Sequence, residues 1–132
     1  MFSGQGKFAF SYILMPMDGN WTPMIRAGRL LNKGLSHIME TWHGGKLAAE
    51  PFTGLVIDQS NVMLSAVKRS EDGTGTVLRV YETVGAETVF TASGPVLPHP
   101  LTAKITPWSV QTWFCKDGQT AWEEVLLTEY PM

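Results

Sequence analysis

The run from Val62 to Glu82, VMLSAVKRSEDGTGTVLRVYE, constrains the fold more than any other stretch of the 132 residues. Val62, Leu64 and Ala66 fall on one side of an extended chain, and Met63, Ser65 and Val67 fall on the other. That alternation lets a strand cover a core with one face. Ser70-Glu71-Asp72-Gly73-Thr74-Gly75 follows, dense in residues that close turns through side-chain hydrogen bonds or positive φ. Thr76-Val77-Leu78-Arg79-Val80-Tyr81-Glu82 then runs extended again, rich in β-branched and aromatic side chains. Two such runs around a glycine-containing loop predict a β-hairpin.

The flanking sequence predicts more strands and one helix. Phe8, Phe10, Tyr12 and Leu14 share one face of Lys7–Met15, predicting a buried strand that Pro16 ends. Thr22-Pro23 opens a helix near residues 22–32, with the Thr22 hydroxyl as N-cap and proline at the first helical position, where its missing N–H costs nothing. Met24, Ala27 or Gly28, and Leu31 lie at helical spacing, and Asn32-Lys33-Gly34 supplies the stop. Leu35–Trp42, Leu55–Ile57 and Thr88–Ala92 read as strands. Leu101–Ile105 and Trp108–Cys115 read as one strand bent at Pro107, and Asp117-Gly118 turns the chain into a final strand from Trp122 to Tyr130. Many short strands with one helix predict an all-β chain, an antiparallel β-sandwich forming a single domain over residues 1–132.

Composition excludes several functions. Ten Lys and Arg against twelve Asp and Glu leave a net charge of −2, and no basic cluster exceeds Lys68-Arg69. Nucleic-acid binding draws most of its affinity from concentrated phosphate contacts, so it is not expected. No apolar run approaches the ~20 residues of a membrane span, and a basic-then-apolar leader is missing. The single cysteine, Cys115, excludes an internal disulfide framework and favours a reducing, cytoplasmic setting.

Catalytic patterns are likewise missing. Asp18, Asp58, Asp72 and Asp117 all stand in turn contexts beside Gly, Ser or Asn. His37 and His43 lack a nearby third ligand, His99 sits between two prolines, and Cys115 follows Trp113-Phe114 as a small apolar residue. Gly73-Thr74-Gly75 joins two strands, not a strand and a helix, so it is no phosphate loop. By its own chemistry the chain is not an enzyme, and no metal site is expected within it.

Several stretches, in order, resemble the C-terminal β region of glycoside hydrolase family 38, the retaining α-mannosidases. Phe8–Pro16 with Gly19 and Trp21 is similar to that family's strand-to-helix turn. Leu31-Asn32-Lys33-Gly34 is similar to its helix end, with Gly34 where proline is usual. Ser65–Lys68 and Arg79-Val80-Tyr81-Glu82 resemble its hairpin, and Thr106–Trp113 resembles its terminal strand. The family marks are Lys68, Arg79, Tyr81, Glu82, Pro107 and Thr112.

The resemblance implies a galactose-mutarotase-like supersandwich. It also implies a C-terminal place in a larger enzyme that hydrolyses terminal α-mannosides with an aspartate nucleophile and zinc. Those catalytic residues belong to an N-terminal barrel, and none transfers to a position here. The partners implied are the parent's catalytic and middle domains. Two further readings stay open: a stand-alone carbohydrate-binding sandwich with Trp42 or Trp122 as an exposed stacking platform, and a homo-oligomerisation module. Lys68, Arg79 and Glu82 are expected to form a cross-strand charge set around the hairpin turn.

Overall fold

The computed structural model describes residues 6–19, 21–39, 41, 44–45 and 51–130. The chain divides into two compact units, Met1–Met39 and Glu40–Met132. Among the described residues no helix is long and apolar enough to cross a membrane.

In the first unit the helix forms as predicted, α1 at Thr22–Lys33. Trp21 takes the N-cap position, one residue earlier than expected, and leaves Thr22 and Pro23 in the first turn. Gly34 ends the helix at a positive φ of 57° that favours glycine, its N–H donating to the Leu30 carbonyl at 2.7 Å. Met24, Ala27, Gly28 and Leu31 line a small groove of about 120 Å³ with Ile13 and Met15.

The strand expected over Lys7–Met15 is not formed. Phe8, Phe10, Tyr12 and Leu14 are 77–88 % exposed. Alternation alone stabilises nothing without a ladder partner, and no second strand stands among the described residues of this unit. For the same reason Leu35–Met39, the described part of the next expected strand, is irregular and its Leu35, Ile38 and Met39 are exposed. Trp42 and His43 lie outside the described residues.

All the strands among the described residues lie in the second unit. β1 (Val56–Ile57), β4 (Thr88–Ser93) and β5 (Leu101–Ile105) form a three-stranded sheet in the order β1-β4-β5. The strands β2 (Val62–Arg69), β3 (Gly75–Glu82), β6 (Val110–Lys116) and β7 (Glu123–Val125) form a four-stranded sheet in the order β2-β3-β6-β7. Every pairing is antiparallel. Phe90, Ala92, Leu101 and Ile105 of the smaller sheet meet Val62, Leu78 and Val80 of the larger, with Leu97 from the intervening loop. This is an antiparallel β-sandwich closed around one apolar core, as the strand pattern predicts.

Three details differ from the sequence reading. The alternation in β2 breaks at a bulge between Leu64 and Ala66. Leu64 pairs with Val80, but Ala66 pairs with Arg79 and Val67 with Leu78, so Val67 and not Ala66 reaches the core. The stretch Leu101–Cys115 is not one bent strand. The turn at Thr106–Ser109 sends β5 into one sheet and β6 into the other. The final strand is only three residues long, because Leu126–Tyr130 closes a turn in which the Leu126 N–H donates to the Tyr130 carbonyl at 2.8 Å.

Candidate functional site

Two constellations of polar side chains are built around the central hairpin, one at each end of β3. The first is centred on Glu82, which is 4 % exposed on the core-facing side. Among the described residues no cation pairs with it. Its Oε1 accepts from Asn61 Nδ2 (2.9 Å) and the Val84 N–H (2.8 Å), and its Oε2 accepts from the N–H groups of Gly85 (2.8 Å) and Trp108 (3.0 Å). Burial pushes the Glu82 carboxyl up, but the donors from Trp108, Val84, Asn61 and Gly85 outweigh it and hold the group at about 2.

This carboxylate pins the β3–β4 turn and the β5–β6 turn to one point. Asn61 extends the link to β4 through the Thr88 hydroxyl at 2.7 Å. Gly85 has φ 79°, and a Cβ there would lie 2.6 Å from the Trp108 indole. Trp108 itself holds φ 57°, a conformation costly for a bulky residue. Glu82 accepts the N–H groups of both.

The second constellation lies where the β2–β3 turn meets the C-terminal segment. Asp72 ties the turn together. Its Oδ1 accepts from the Ser70 hydroxyl at 2.6 Å and the Thr74 N–H at 3.0 Å, and these bonds, led by Ser70, hold its carboxyl at about 2. Arg69 makes a bidentate pair with Asp117 at 2.8 and 2.7 Å, joining the tips of the β2–β3 and β6–β7 hairpins. Lys68 bonds Glu71 and, at 2.6 Å, Glu129, whose other oxygen accepts the Glu71 N–H at 2.8 Å. The Lys68 bond, followed by that N–H, keeps the Glu129 carboxyl below the usual range. Arg79 donates to Thr112 Oγ1 at 3.1 Å and to the Leu127 carbonyl at 2.7 Å. These contacts draw Leu126–Tyr130 across the outer face of the larger sheet.

Between that segment and the turn opens a cleft of about 500 Å³. Phe114 forms part of its wall with Val125. Lys116 and Glu123 stand beside Phe114, which pairs with Glu123 across β6 and β7. Thr128 and Tyr130 close the far side.

The residues nominated from sequence are thus dispersed. Lys68, Arg79 and Thr112 lie on the outer face, whereas Glu82 lies on the inner one, so the expected cross-strand charge set does not form. Strand parity explains this: Glu82 is three residues from Arg79 and must face the other way. Tyr81 is half-buried on the outer face opposite Met63 and Val110, and Pro107 is exposed in the β5–β6 turn. Trp122 is not an exposed platform. It packs against the core, with Nε1 donating to the His99 carbonyl at 3.2 Å. Cys115 is buried, and burial, with Asp117 nearby, pushes its thiol up.

Sequence reasoning missed Asn61 and Glu129 as partners of Glu82 and Lys68. Both contacts are long in sequence and carry no local signal. Phe114 was missed too, although Gly75, which pairs with Lys116 and leaves room for the Phe114 ring, offered a clue.

Every carboxylate among the described residues whose titration is displaced, namely Asp72, Glu82, Asp117 and Glu129, is displaced downward and engaged by donors of the fold. Glycoside hydrolysis requires a carboxylic acid held protonated near neutrality beside a second carboxylate. These four are built to stay ionised. Among the described residues no three His, Cys, Asp or Glu side chains are placed to hold a metal ion.

Residues 61–129, just over half of the chain, match the glycosyl hydrolases family 38 C-terminal beta sandwich domain. The chain belongs to this family. The match starts at Asn61 and ends at Glu129, so it spans both constellations and every nominated family mark. Among curated proteins, alpha-mannosidase G of Dictyostelium discoideum is 31 % identical over 100 residues, covering 72 % of this chain and 9 % of that protein. The family 38 chain therefore spans about a tenth of the length of that relative. No solved structure matches it.

Proposed function

We propose that the chain is the C-terminal accessory end of an α-mannosidase, one that supports the parent's catalytic and middle domains and performs no hydrolysis itself. The observation that carries this reading is the use made of its carboxylates. Glu82, the most deeply buried of them, is spent on four hydrogen-bond donors that hold two turns together. Glu129 and Asp72 are likewise consumed by the tail and the hairpin turn. The family match and the small fraction of alpha-mannosidase G that is covered agree with it. So do the exposed apolar side chains of Phe8, Phe10, Tyr12 and Leu14, the kind of surface that neighbouring domains cover.

In this reading residues 1–132 travel together as one part of the parent. The nucleophile and zinc belong to the parent's barrel, and the buried free thiol of Cys115 suits a reducing, cytoplasmic location. The test is truncation of alpha-mannosidase G by the segment that matches this chain. Accessory support predicts a lower melting temperature with KM for a chromogenic α-mannoside unchanged in the enzyme that stays folded. Loss of turnover at an unchanged melting temperature would place chemistry in the segment and overturn the reading.

A further inference from the structure

We propose that the cleft between the β2–β3 turn and the C-terminal segment is an accessory glycan-binding site, with the Phe114 ring as its platform and a neutral oligomannoside as its ligand. The choice of mannose rests on the α-mannosidase reading above, whereas the site itself rests on the geometry. A cleft of about 500 Å³ exceeds what one hexose needs and falls within the ~300–1,000 Å³ of small-molecule sites.

The platform is specified by sequence. A Cβ on Gly75 would lie 2.4 Å from the Phe114 ring and 2.4 Å from the Cys115 carbonyl, so only glycine lets the ring lie across β3. The walls are fixed before any ligand arrives. Asp72 and Ser70 lock the turn, and Glu129 is held by Lys68 and the Glu71 N–H.

Around this platform the polar groups are unspent. Lys116, Glu123, Thr128 and Tyr130 line the cleft, and none of their side chains has a partner among the described residues. The contrast with Asp72 and Glu129, whose oxygens are fully used, separates groups that build the walls from groups left for a ligand. Lys116 and Glu123 flank Phe114 on the same face, a cation two residues along β6 and a carboxylate opposite it on β7. A donor and an acceptor on either side of an apolar ring complement the hydroxyls and the C–H face of a pyranose. Their opposite charges favour a neutral ligand over an anion or a cation alone.

The experiment is saturation-transfer NMR and calorimetric titration of the 132-residue chain with α-linked mannotriose and, in parallel, cellotriose. The variants are Glu123→Ala and Lys116→Ala, both at exposed positions, with Thr102→Ala on the other sheet as control and circular dichroism to confirm folding. Expected is saturable mannotriose binding that weakens at least tenfold in each cleft variant and is unchanged in Thr102→Ala. No saturable binding, or binding indifferent to both cleft variants, would overturn the site. Equal affinity for cellotriose would overturn the assignment to mannosides. A negative titration leaves the accessory-domain reading standing, because that reading is decided by truncation and turnover.

Discussion

Replacing Glu82 with Gln removes one charge and almost no volume, yet it should be among the most damaging single changes in the sandwich. Four donors converge on the two oxygens, three of them backbone N–H groups that cannot rotate away. Glutamine offers one carbonyl oxygen and sets its NH₂ against the donors at the other position. Two buried donors then lose their acceptor, and a hydrogen bond to a charged group contributes ~1.5–3 kcal/mol, giving a loss of ~3–6 kcal/mol. The titration gives a second estimate: holding the carboxyl at about 2 instead of 4.5 corresponds to about 3 kcal/mol of stability at neutral pH. Both are large beside the ~5–15 kcal/mol total of a typical domain.

The sign follows from linkage. The folded pKa is depressed, so the contribution is fully present above about pH 4.5 and is lost as pH falls toward 2. Urea unfolding of wild type and Glu82→Gln from pH 7 down to the acid limit of folding measures both quantities. The stability difference should be at least ~3 kcal/mol at pH 7 and should narrow on acidification through that window. A difference below ~1 kcal/mol at pH 7, or one that does not change with pH, would refute the assignment of Glu82 as the pin between the two turns.

Three further outcomes follow from the same geometry. Gly85→Ala combines a left-handed φ of 79° with a Cβ 2.6 Å from the Trp108 ring, and should cost ~2–4 kcal/mol in urea unfolding. Glu129→Gln and Lys68→Met should each lower hydrogen-exchange protection of the Glu71 amide, which bonds Glu129 Oε2, while amides of β4 keep theirs. Cys115, buried with its thiol pushed up, should resist alkylation in the native chain and react only on unfolding; rapid labelling of folded protein would contradict its placement.

What the sequence revealed depended on whether the decisive contact was local. The β2–β3 hairpin was legible because its alternation and its Ser-Glu-Asp-Gly turn are contiguous, and α1 was legible from its spacing and the Gly34 stop. The bulge at Ser65 was not legible, because one extra residue leaves an apolar pattern that looks unbroken from Val62 to Val67. The alternating Phe8, Phe10, Tyr12 and Leu14 promised a strand, but pairing depends on a neighbour that composition does not disclose. β5 and β6 read as one strand because a single proline does not distinguish a bend from a transfer between sheets.

The site followed the same division. Asp72 announced itself as a turn former, whereas Glu82 read as one end of a charge set. Two of its four donors, Asn61 and the Trp108 N–H, lie 21 and 26 residues away. Lys68 and Glu129 are each visible in the sequence, but nothing local joins two residues so far apart along the chain that meet at 2.6 Å in the fold.

The central claim is that this family 38 domain uses its carboxylates to build structure and leaves hydrolysis to the rest of an α-mannosidase. Its most direct test is turnover of a chromogenic α-mannoside by the purified 132-residue chain, with and without added zinc. The account predicts release no faster than the enzyme-free blank in both cases. Release that scales with protein concentration and disappears in Glu123→Ala would contradict it.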